Sequence, residues 1–127
     1  MHLTIGPPWP VLTKAFSLPK RSLVEPQEIV GMIDTGSRWL VVEEEQLRAL
    51  GIEPNGFEWV QSVTSSVPEF LRTYDVSVNL DGLQFIDEHV VGGKFNAGFS
   101  CLIGRTVLHR LTSFLYESHA DEFSLRW

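Results

Sequence analysis

The sequence predicts a mostly β domain with two short helices. Most apolar residues fall in short runs that alternate with polar residues or are nearly continuous, and Pro, Gly, Asn and Asp separate these runs. Only two stretches carry apolar residues at helical spacing. Because 127 residues can bury one sizeable core, we expect a single domain over residues 1–127, with residues 1–27 as an N-terminal strand or arm.

The N-terminal third is predicted to contain an outer strand and a buried strand. Prolines at positions 7, 8 and 10 keep the chain extended, and residues 11–18 have the apolar–polar pattern of an outer strand. Residues 28–34 include a nearly continuous apolar run that stops at Thr35 and Gly36. This pattern is typical of a buried strand that enters a tight turn at Asp34.

A short surface helix is expected after the next apolar run, which covers residues 39–42. The three glutamates at positions 43–45 are favoured near a helix N-terminus. Leu47 and Leu50 lie on one helical face, and Gly51 supplies the C′ stop.

The middle of the chain predicts a hairpin and a return strand. Residues 58–63 and 69–80 have strand patterns on either side of a polar tip, and the apolar residues that alternate from Tyr74 to Leu80 are expected to face the core. Asp81 and Gly82 predict a two-residue turn. Residues 83–91 then form the return strand, which ends at a loop containing Gly92 and Gly93.

The C-terminal part predicts a strand, a helix and a closing hairpin. Residues 101–104 form an apolar segment, and Val107, Leu108 and Leu111 share one helical face. Residues 114–116 and 123–127 flank a turn at residues 118–121.

Composition excludes several classes of protein. The net charge is -6 and the basic residues are scattered, so nucleic acid is not an expected partner. No segment resembles a signal peptide or is long and apolar enough to cross a membrane, and the single Cys101 suits a reducing compartment, so we expect a cytoplasmic location. The four histidines lack metal-ligand spacing, and Cys101 is expected to serve packing; an enzyme that pairs Cys101 with a histidine is the remote alternative.

The tripeptide Asp34-Thr35-Gly36 is the candidate chemical motif. A carboxylate at the end of a buried strand loses solvation unless its surroundings support the charge. Ser37, an apolar run and the acidic helix follow it in order. The competing interpretation is a turn or capping carboxylate without a catalytic role.

This order of elements resembles that of the retropepsin-like aspartic peptidases, in which an apolar strand, Asp-Thr/Ser-Gly-Ala/Ser, a second apolar strand and a short helix follow one another. The second motif of that family, two apolar residues and Gly, often with Arg, before a short helix, is matched by Leu102, Ile103, Gly104 and Arg105. These four residues would support the catalytic loop. The resemblance covers residues 28–127 and implies a single-lobe, acid-protease-like closed β-barrel with two short helices.

The resemblance implies an aspartic endopeptidase without a cofactor or metal, which hydrolyses peptide bonds through an activated water. Such enzymes need two carboxylates that share one proton, whereas this chain has one Asp-Thr-Gly motif. A two-fold homodimer that brings Asp34 beside its copy meets this requirement. The expected ligand is an extended peptide or protein substrate.

The resemblance also implies roles for the neighbouring residues. Thr35 would brace the two loops across the dimer axis, Gly36 would allow close approach of the substrate, and Ser37 would orient the outer carboxylate oxygen. The hairpin tip would be a flap that closes over the peptide. The expected substrate-binding residues are Ser37, Arg38, Trp39, Val63, Thr64 and Ser65.

Two features depart from the family pattern. Residues 62–67 contain no glycine, whereas retroviral flaps are usually glycine-rich. Position 38 is commonly acidic and pairs with the Arg of the second motif, but here it is Arg38, so either Arg105 has another partner, such as a glutamate at positions 43–45, or the dimer is braced differently. Arg38 and Trp39 would favour acidic or apolar outer subsites. These departures leave open a catalytically inactive dimeric β-module that binds extended peptides or serves in assembly.

Overall fold

The computed structural model describes residues 1–8, 25–61, 66–80, 86–96, 98–120 and 122–126. Within these ranges the chain forms nine strands and two short helices. The strands are β1 (His2–Gly6), β2 (Gln27–Ile33), β3 (Val41–Glu43), β4 (Gly56–Val60), β5 (Glu69–Asn79), β6 (Ile86–Gly93), β7 (Cys101–Ile103), β8 (Ser113–Glu117) and β9 (Glu122–Arg126). The helices are α1 (Glu44–Ala49) and α2 (Arg105–Leu108).

Six strands close into a barrel. Neighbouring strands pair in the order β1-β2-β7-β3-β6-β5, and β1 pairs with β5 to complete the ring. The strand β4 adds to the outer side of β5 as an antiparallel hairpin. Closure supplies hydrogen-bond partners to strand edges that would otherwise be open. The predicted mostly β barrel with two short helices is therefore confirmed.

The sequence predicted an N-terminal strand or arm within residues 1–27 but not the position of β1. It pairs antiparallel with β2, where Leu3 lies opposite Ile29, and with β5, where Ile5 lies opposite Val78. Leu3 and Ile5 are buried by this double pairing. The predicted outer strand over residues 11–18 and the turn at Asp81-Gly82 lie outside the described residues.

The barrel core is formed by alternate positions along the strands and by one face of each helix. In β5, Tyr74, Val76 and Val78 point inward as predicted, and Leu80 beyond the strand end is also buried. Leu47 is buried on α1, and Gly51 has a φ of 66° after the helix, as its C′ assignment requires. The remaining members of the core cluster are Leu3, Ile5, Ile29, Leu40, Val42, Leu50, Val90, Cys101, Ile103 and Val107.

Two expectations about strands were wrong. The strand β2 is buried on one face only, because Val30 and Met32 are 41% and 46% exposed. Gly92 and Gly93 do not form a loop: they continue β6 and pair in parallel with Val42 and Glu43 of β3. A Cβ at Gly93 would lie 2.7 Å from Val41 Cγ1, so the close approach of these strands explains the glycine.

The predicted C-terminal hairpin is confirmed. Strands β8 and β9 form a separate two-stranded antiparallel sheet, in which Leu115 lies opposite Ser124. Leu115 is 56% exposed. This hairpin therefore exposes two large side chains, those of Leu115 and Tyr116.

Candidate active site

Asp34 lies where β2 leaves the barrel. The strand β7 runs between β2 and β3, parallel to the first and antiparallel to the second, so Leu102 pairs with both Met32 and Val41. The Asp34 amide donates a hydrogen bond to the Ile103 carbonyl at 3.1 Å. The loop between β2 and β3, residues 34–40, is thus anchored at its start by the second predicted motif.

The turn itself holds the Asp34 carboxylate. The Gly36 amide donates to Asp34 Oδ1 at 2.9 Å, and the Ser37 amide donates to the Asp34 carbonyl at 3.2 Å. Asp34 is half-buried, whereas Thr35 and Gly36 are exposed. The carboxylate is therefore oriented by the backbone but remains accessible from one side, as a group that acts on an external molecule must be.

The expected role of Ser37 was wrong. Its hydroxyl donates to the Trp39 carbonyl at 3.0 Å and so does not orient the carboxylate of Asp34. The oxygen of Asp34 that accepts a hydrogen bond receives it from the Gly36 amide instead. A serine hydroxyl readily bonds a carbonyl two residues away, which makes Ser37 part of the turn.

Gly104 brings α2 against the loop. A Cβ at this position would lie 2.2 Å from the Trp39 carbonyl oxygen and 3.0 Å from the Arg38 carbonyl carbon, so only glycine fits this backbone contact. Directly after it, the Arg105 amide donates to the Ser37 carbonyl at 3.0 Å. Both contacts fix the backbone of the loop that carries Asp34.

Thr106 is a supporting residue that the sequence reasoning missed. Its amide donates to the Arg38 carbonyl at 2.9 Å, and its hydroxyl oxygen accepts a hydrogen bond from the Leu40 amide at 3.2 Å. Thr106 therefore fastens both ends of the 38–40 segment. A hydroxyl residue directly after Gly104-Arg105 was the available sequence signal.

Arg38 and Trp39 form one continuous surface. The Arg38 guanidinium lies 4.6 Å from the centroid of the Trp39 ring, which is a cation–π distance. The other neighbour of Trp39 is His89, whose ring centroid is 6.2 Å away at 71°. His89 Nδ1 in turn lies 2.9 Å from Asp75 Oδ1. Stacking thus holds the exposed Arg38 in place beside the candidate site.

The expected pairing of Arg105 with a glutamate at positions 43–45 was wrong. The Glu44 carboxylate already has three partners. It accepts a hydrogen bond from the Tyr74 hydroxyl at 2.8 Å and forms ion pairs with Arg48 and Arg72 at 3.5 and 3.4 Å. Within the described ranges, Arg105 has no carboxylate within ion-pair distance. The Tyr74 hydrogen bond and the two guanidinium groups lower the pKa of Glu44 despite its partial burial.

The predicted flap residues Val63, Thr64 and Ser65 lie outside the described residues. The hairpin that leads to them is β4–β5, in which Trp59 lies opposite Phe70. Phe70 stacks between Phe57 and Trp59, with centroids 4.8 Å from each, and all three rings are more than half exposed.

Other candidate chemistry is not supported at the described positions. Cys101 is fully buried, and burial raises the pKa of its thiol to about 12, so it is not a thiolate nucleophile. No group of three His, Cys, Asp or Glu side chains in the described ranges could hold a metal ion. No described helix has the length and hydropathy needed to span a membrane.

Comparison with known proteins agrees with the barrel. No protein-family model and no curated protein matches the sequence. Among solved structures, the crystal structure of a retropepsin-like aspartic protease from Rickettsia conorii superposes with a TM-score of 0.59 over 77% of this chain and 73% of that chain, at 20% identity. This similarity, together with the closed six-stranded barrel, shows that the chain has a retropepsin-like fold.

Proposed function

We propose that the chain is one half of an aspartic endopeptidase, in which Asp34 and its copy from a second chain activate a water molecule. The observation that carries the proposal is the Asp34 carboxylate, held by the Gly36 amide at 2.9 Å in an accessible turn that β7 and α2 support from behind. The retropepsin-like fold supports the same assignment. Because proteins of one fold have many functions, the proposed function depends on the geometry of the site around Asp34.

The proposed reaction needs two carboxylates and one water. One carboxylate accepts a proton from the water as it attacks the scissile carbonyl carbon, and the protonated partner donates a hydrogen bond to the carbonyl oxygen. The proton then passes to the leaving amine as the peptide bond breaks. Because the sequence has one Asp-Thr-Gly motif, the second carboxylate comes from another chain.

The β8–β9 hairpin supports a homodimer. An isolated two-stranded hairpin is marginally stable in water, yet β8 and β9 pair only with each other among the described strands. Packing of this hairpin against a second copy can cover Leu115, which is 56% exposed in the single chain. A shared interface of this kind would couple dimer formation to assembly of the active site.

Substrate preference is assigned to the loop. Arg38 is exposed, is stacked on Trp39 and has no carboxylate within ion-pair distance among the described residues. It is therefore available to bind an acidic side chain of an extended peptide, while the Trp39 ring offers apolar contact. A peptide-library cleavage profile in which Arg38→Ala leaves the preference for acidic residues unchanged would contradict this assignment.

The first test is peptide cleavage by the parent and by Asp34→Asn, with Glu53→Gln as a matched carboxylate-to-amide control at an exposed loop position. Asp34→Asn should lose cleavage, whereas Glu53→Gln should retain it. Equal cleavage by the parent and Asp34→Asn would end the proposal. Peptide binding without any turnover by the parent would favour the inactive β-module.

A mixing experiment tests the shared site. At fixed total concentration, an equimolar mixture of the parent and Asp34→Asn should have about a quarter of the parent activity, because only dimers with two aspartates work and chains pair at random. A monomeric enzyme would retain about half. Activity near half would therefore refute the two-chain site without refuting Asp34 as the catalytic group.

A further inference from the structure

A row of side chains crosses the outer face of the barrel beside the loop between β2 and β3. The strands β3 and β6 pair in parallel with Val41 opposite Val91, and the Val91 amide donates to the Leu40 carbonyl at 3.0 Å. The same register, continued two residues back along both segments, places Trp39 beside His89 on one face. Their ring centroids lie 6.2 Å apart at 71°, which is an edge-to-face arrangement.

Asp75 fixes the ring of His89. The two residues lie directly opposite each other in the β5–β6 pair, and His89 Nδ1 is 2.9 Å from Asp75 Oδ1. An ionised carboxylate can only accept a hydrogen bond, so Nδ1 carries the hydrogen and donates it. The ring cannot turn about its Cβ–Cγ bond without losing this hydrogen bond. Asp75 therefore sets the orientation of the ring that contacts Trp39.

Arg38 lies at the other end of the row. Its guanidinium is 4.6 Å from the centroid of the Trp39 ring. Among the described residues, Arg38 has no carboxylate within ion-pair distance, so stacking rather than an ion pair orients this long side chain. A planar guanidinium keeps one orientation on the Trp39 ring only while the ring itself keeps one. The contacts thus run without a gap from Asp75 to Arg38.

We propose that Asp75 and His89 are positioning residues for substrate selection. They fix the orientation of the Trp39 ring, and the ring in turn fixes the Arg38 guanidinium, which binds an acidic side chain of the peptide. This inference rests on the proposed function, because Arg38 selects a substrate only if a peptide lies over the loop. The side chains of His89 and Asp75 are 42% and 54% exposed, and an exposed pair contributes little to stability. Its effect is therefore expected in peptide selection and not in folding.

Two substitutions at position 75 separate the hydrogen bond from the charge. Asp75→Asn removes the charge but keeps an oxygen that can accept from His89 Nδ1, whereas Asp75→Ala removes both. Loss of a negative charge alone would favour an acidic peptide, so electrostatics and positioning predict opposite signs for Asp75→Ala. The matched control is Glu28→Ala, because Glu28 Oε1 lies 2.8 Å from His2 Nδ1 in an exposed pair at the end of β2 away from Asp34.

The measurement is peptide binding by fluorescence anisotropy in an Asp34→Asn background, in which the proposed function predicts no cleavage. The probes are short, labelled, apolar peptides that carry a single Glu or a single Gln at each position in turn. The readout is the largest ratio of affinity for a Glu peptide to affinity for its Gln counterpart. Steady-state cleavage of the same peptides by chains with intact Asp34 supplies KM and kcat.

Asp75→Ala and His89→Ala should each lower the ratio by about fivefold, in line with the strength of an aromatic pair. Asp75→Asn and Glu28→Ala should leave it near the value without these changes. The double variant of Asp75→Ala and His89→Ala should match His89→Ala alone, because Asp75 acts through the ring. With Asp34 intact, the loss should appear in KM for the Glu peptide and not in kcat.

An unchanged or increased ratio in Asp75→Ala would overturn the proposal. An equal fall in Asp75→Ala and Asp75→Asn, additive losses in the double variant, or a loss confined to kcat would also overturn it. The same holds if the chain with Asp75 and His89 intact has no preference for Glu or binds none of the peptides. Absence of cleavage by the parent would instead refute the proposed function, while the affinity ratios still decide the role of Asp75 and His89.

Discussion

Replacement of Gly104 by alanine should displace the loop that carries Asp34. The added Cβ would lie 2.2 Å from the Trp39 carbonyl oxygen, and ordinary van der Waals contact begins at 3.4 Å, so the two backbone segments must separate by about 1.2 Å. The obstacle is backbone rather than the end of a flexible side chain, and the Arg105 and Thr106 amides bond the same segment at 3.0 and 2.9 Å. Relaxation would therefore have to weaken these hydrogen bonds.

The expected loss of stability for Gly104→Ala is about 2 kcal/mol, in the range found for overpacked sites, and the expected loss of cleavage rate by the folded enzyme is roughly 100-fold for a displacement of this size. Urea unfolding measures the first quantity, and kcat/KM with a cleavable peptide measures the second. The control is Gly98→Ala, because a Cβ at Gly98 meets nothing within 4 Å. If Gly104→Ala matches Gly98→Ala in stability and activity, the packing of Gly104 against the loop is not what places Asp34.

Three further predictions follow from other parts of the fold. Gly51→Ala should lower stability by about 1 kcal/mol without affecting cleavage, because Gly51 has φ 66° and open space around it; urea unfolding beside Gly98→Ala decides this. Leu115→Ser should shift sedimentation towards monomer and reduce activity at low concentration. Phe57→Ser, which removes an equally exposed side chain from the β4–β5 hairpin, should leave sedimentation unchanged; an equal shift towards monomer in both variants would remove β8–β9 from the interface. The hydrogen bond from the Tyr74 hydroxyl lowers the pKa of Glu44 in the folded chain. The ionised carboxylate therefore contributes stability above its unfolded pKa of about 4.5, and this contribution is lost as the pH falls through the lower folded pKa. The difference in unfolding free energy between the parent and Glu44→Gln should shrink over that pH range, and a constant difference would contradict the prediction.

Local sequence patterns predicted most of the barrel because strand faces, helix ends and turns depend on residues that are close together in the sequence. The alternation of apolar and polar residues from Tyr74 to Leu80 predicted the core face of β5. The helical spacing of apolar residues, followed by Gly51, predicted the end of α1. The Asp34 turn and the strand before Gly104 were also correctly placed, since each is a short apolar run followed by a turn residue.

Contacts between distant parts of the chain could not be predicted in the same way. The strand β1 has no strong pattern of its own and is stabilised by pairing with two strands, one of which lies more than seventy residues away. Gly92 and Gly93 have the composition of a loop, and parallel pairing with β3 keeps them in a strand. The assignment of the Ser37 hydroxyl to the Asp34 carboxylate was wrong because the hydrogen-bond partner of a side chain depends on its rotamer and on backbone geometry, which neighbours in sequence do not fix.

The sequence by itself determined the class of fold, the position of Asp34 at the end of a strand, and the second motif that lies behind it. These depend on apolar periodicity and on short turns, which are local properties of the chain. Only the tertiary structure revealed that Gly104 touches the Trp39 backbone, that Thr106 binds both ends of the 38–40 segment, and that Glu88 meets Arg110 in the interior. Closure of the barrel brings these segments together, and the free energy of such contacts arises from burial and distance, which no single stretch of sequence encodes.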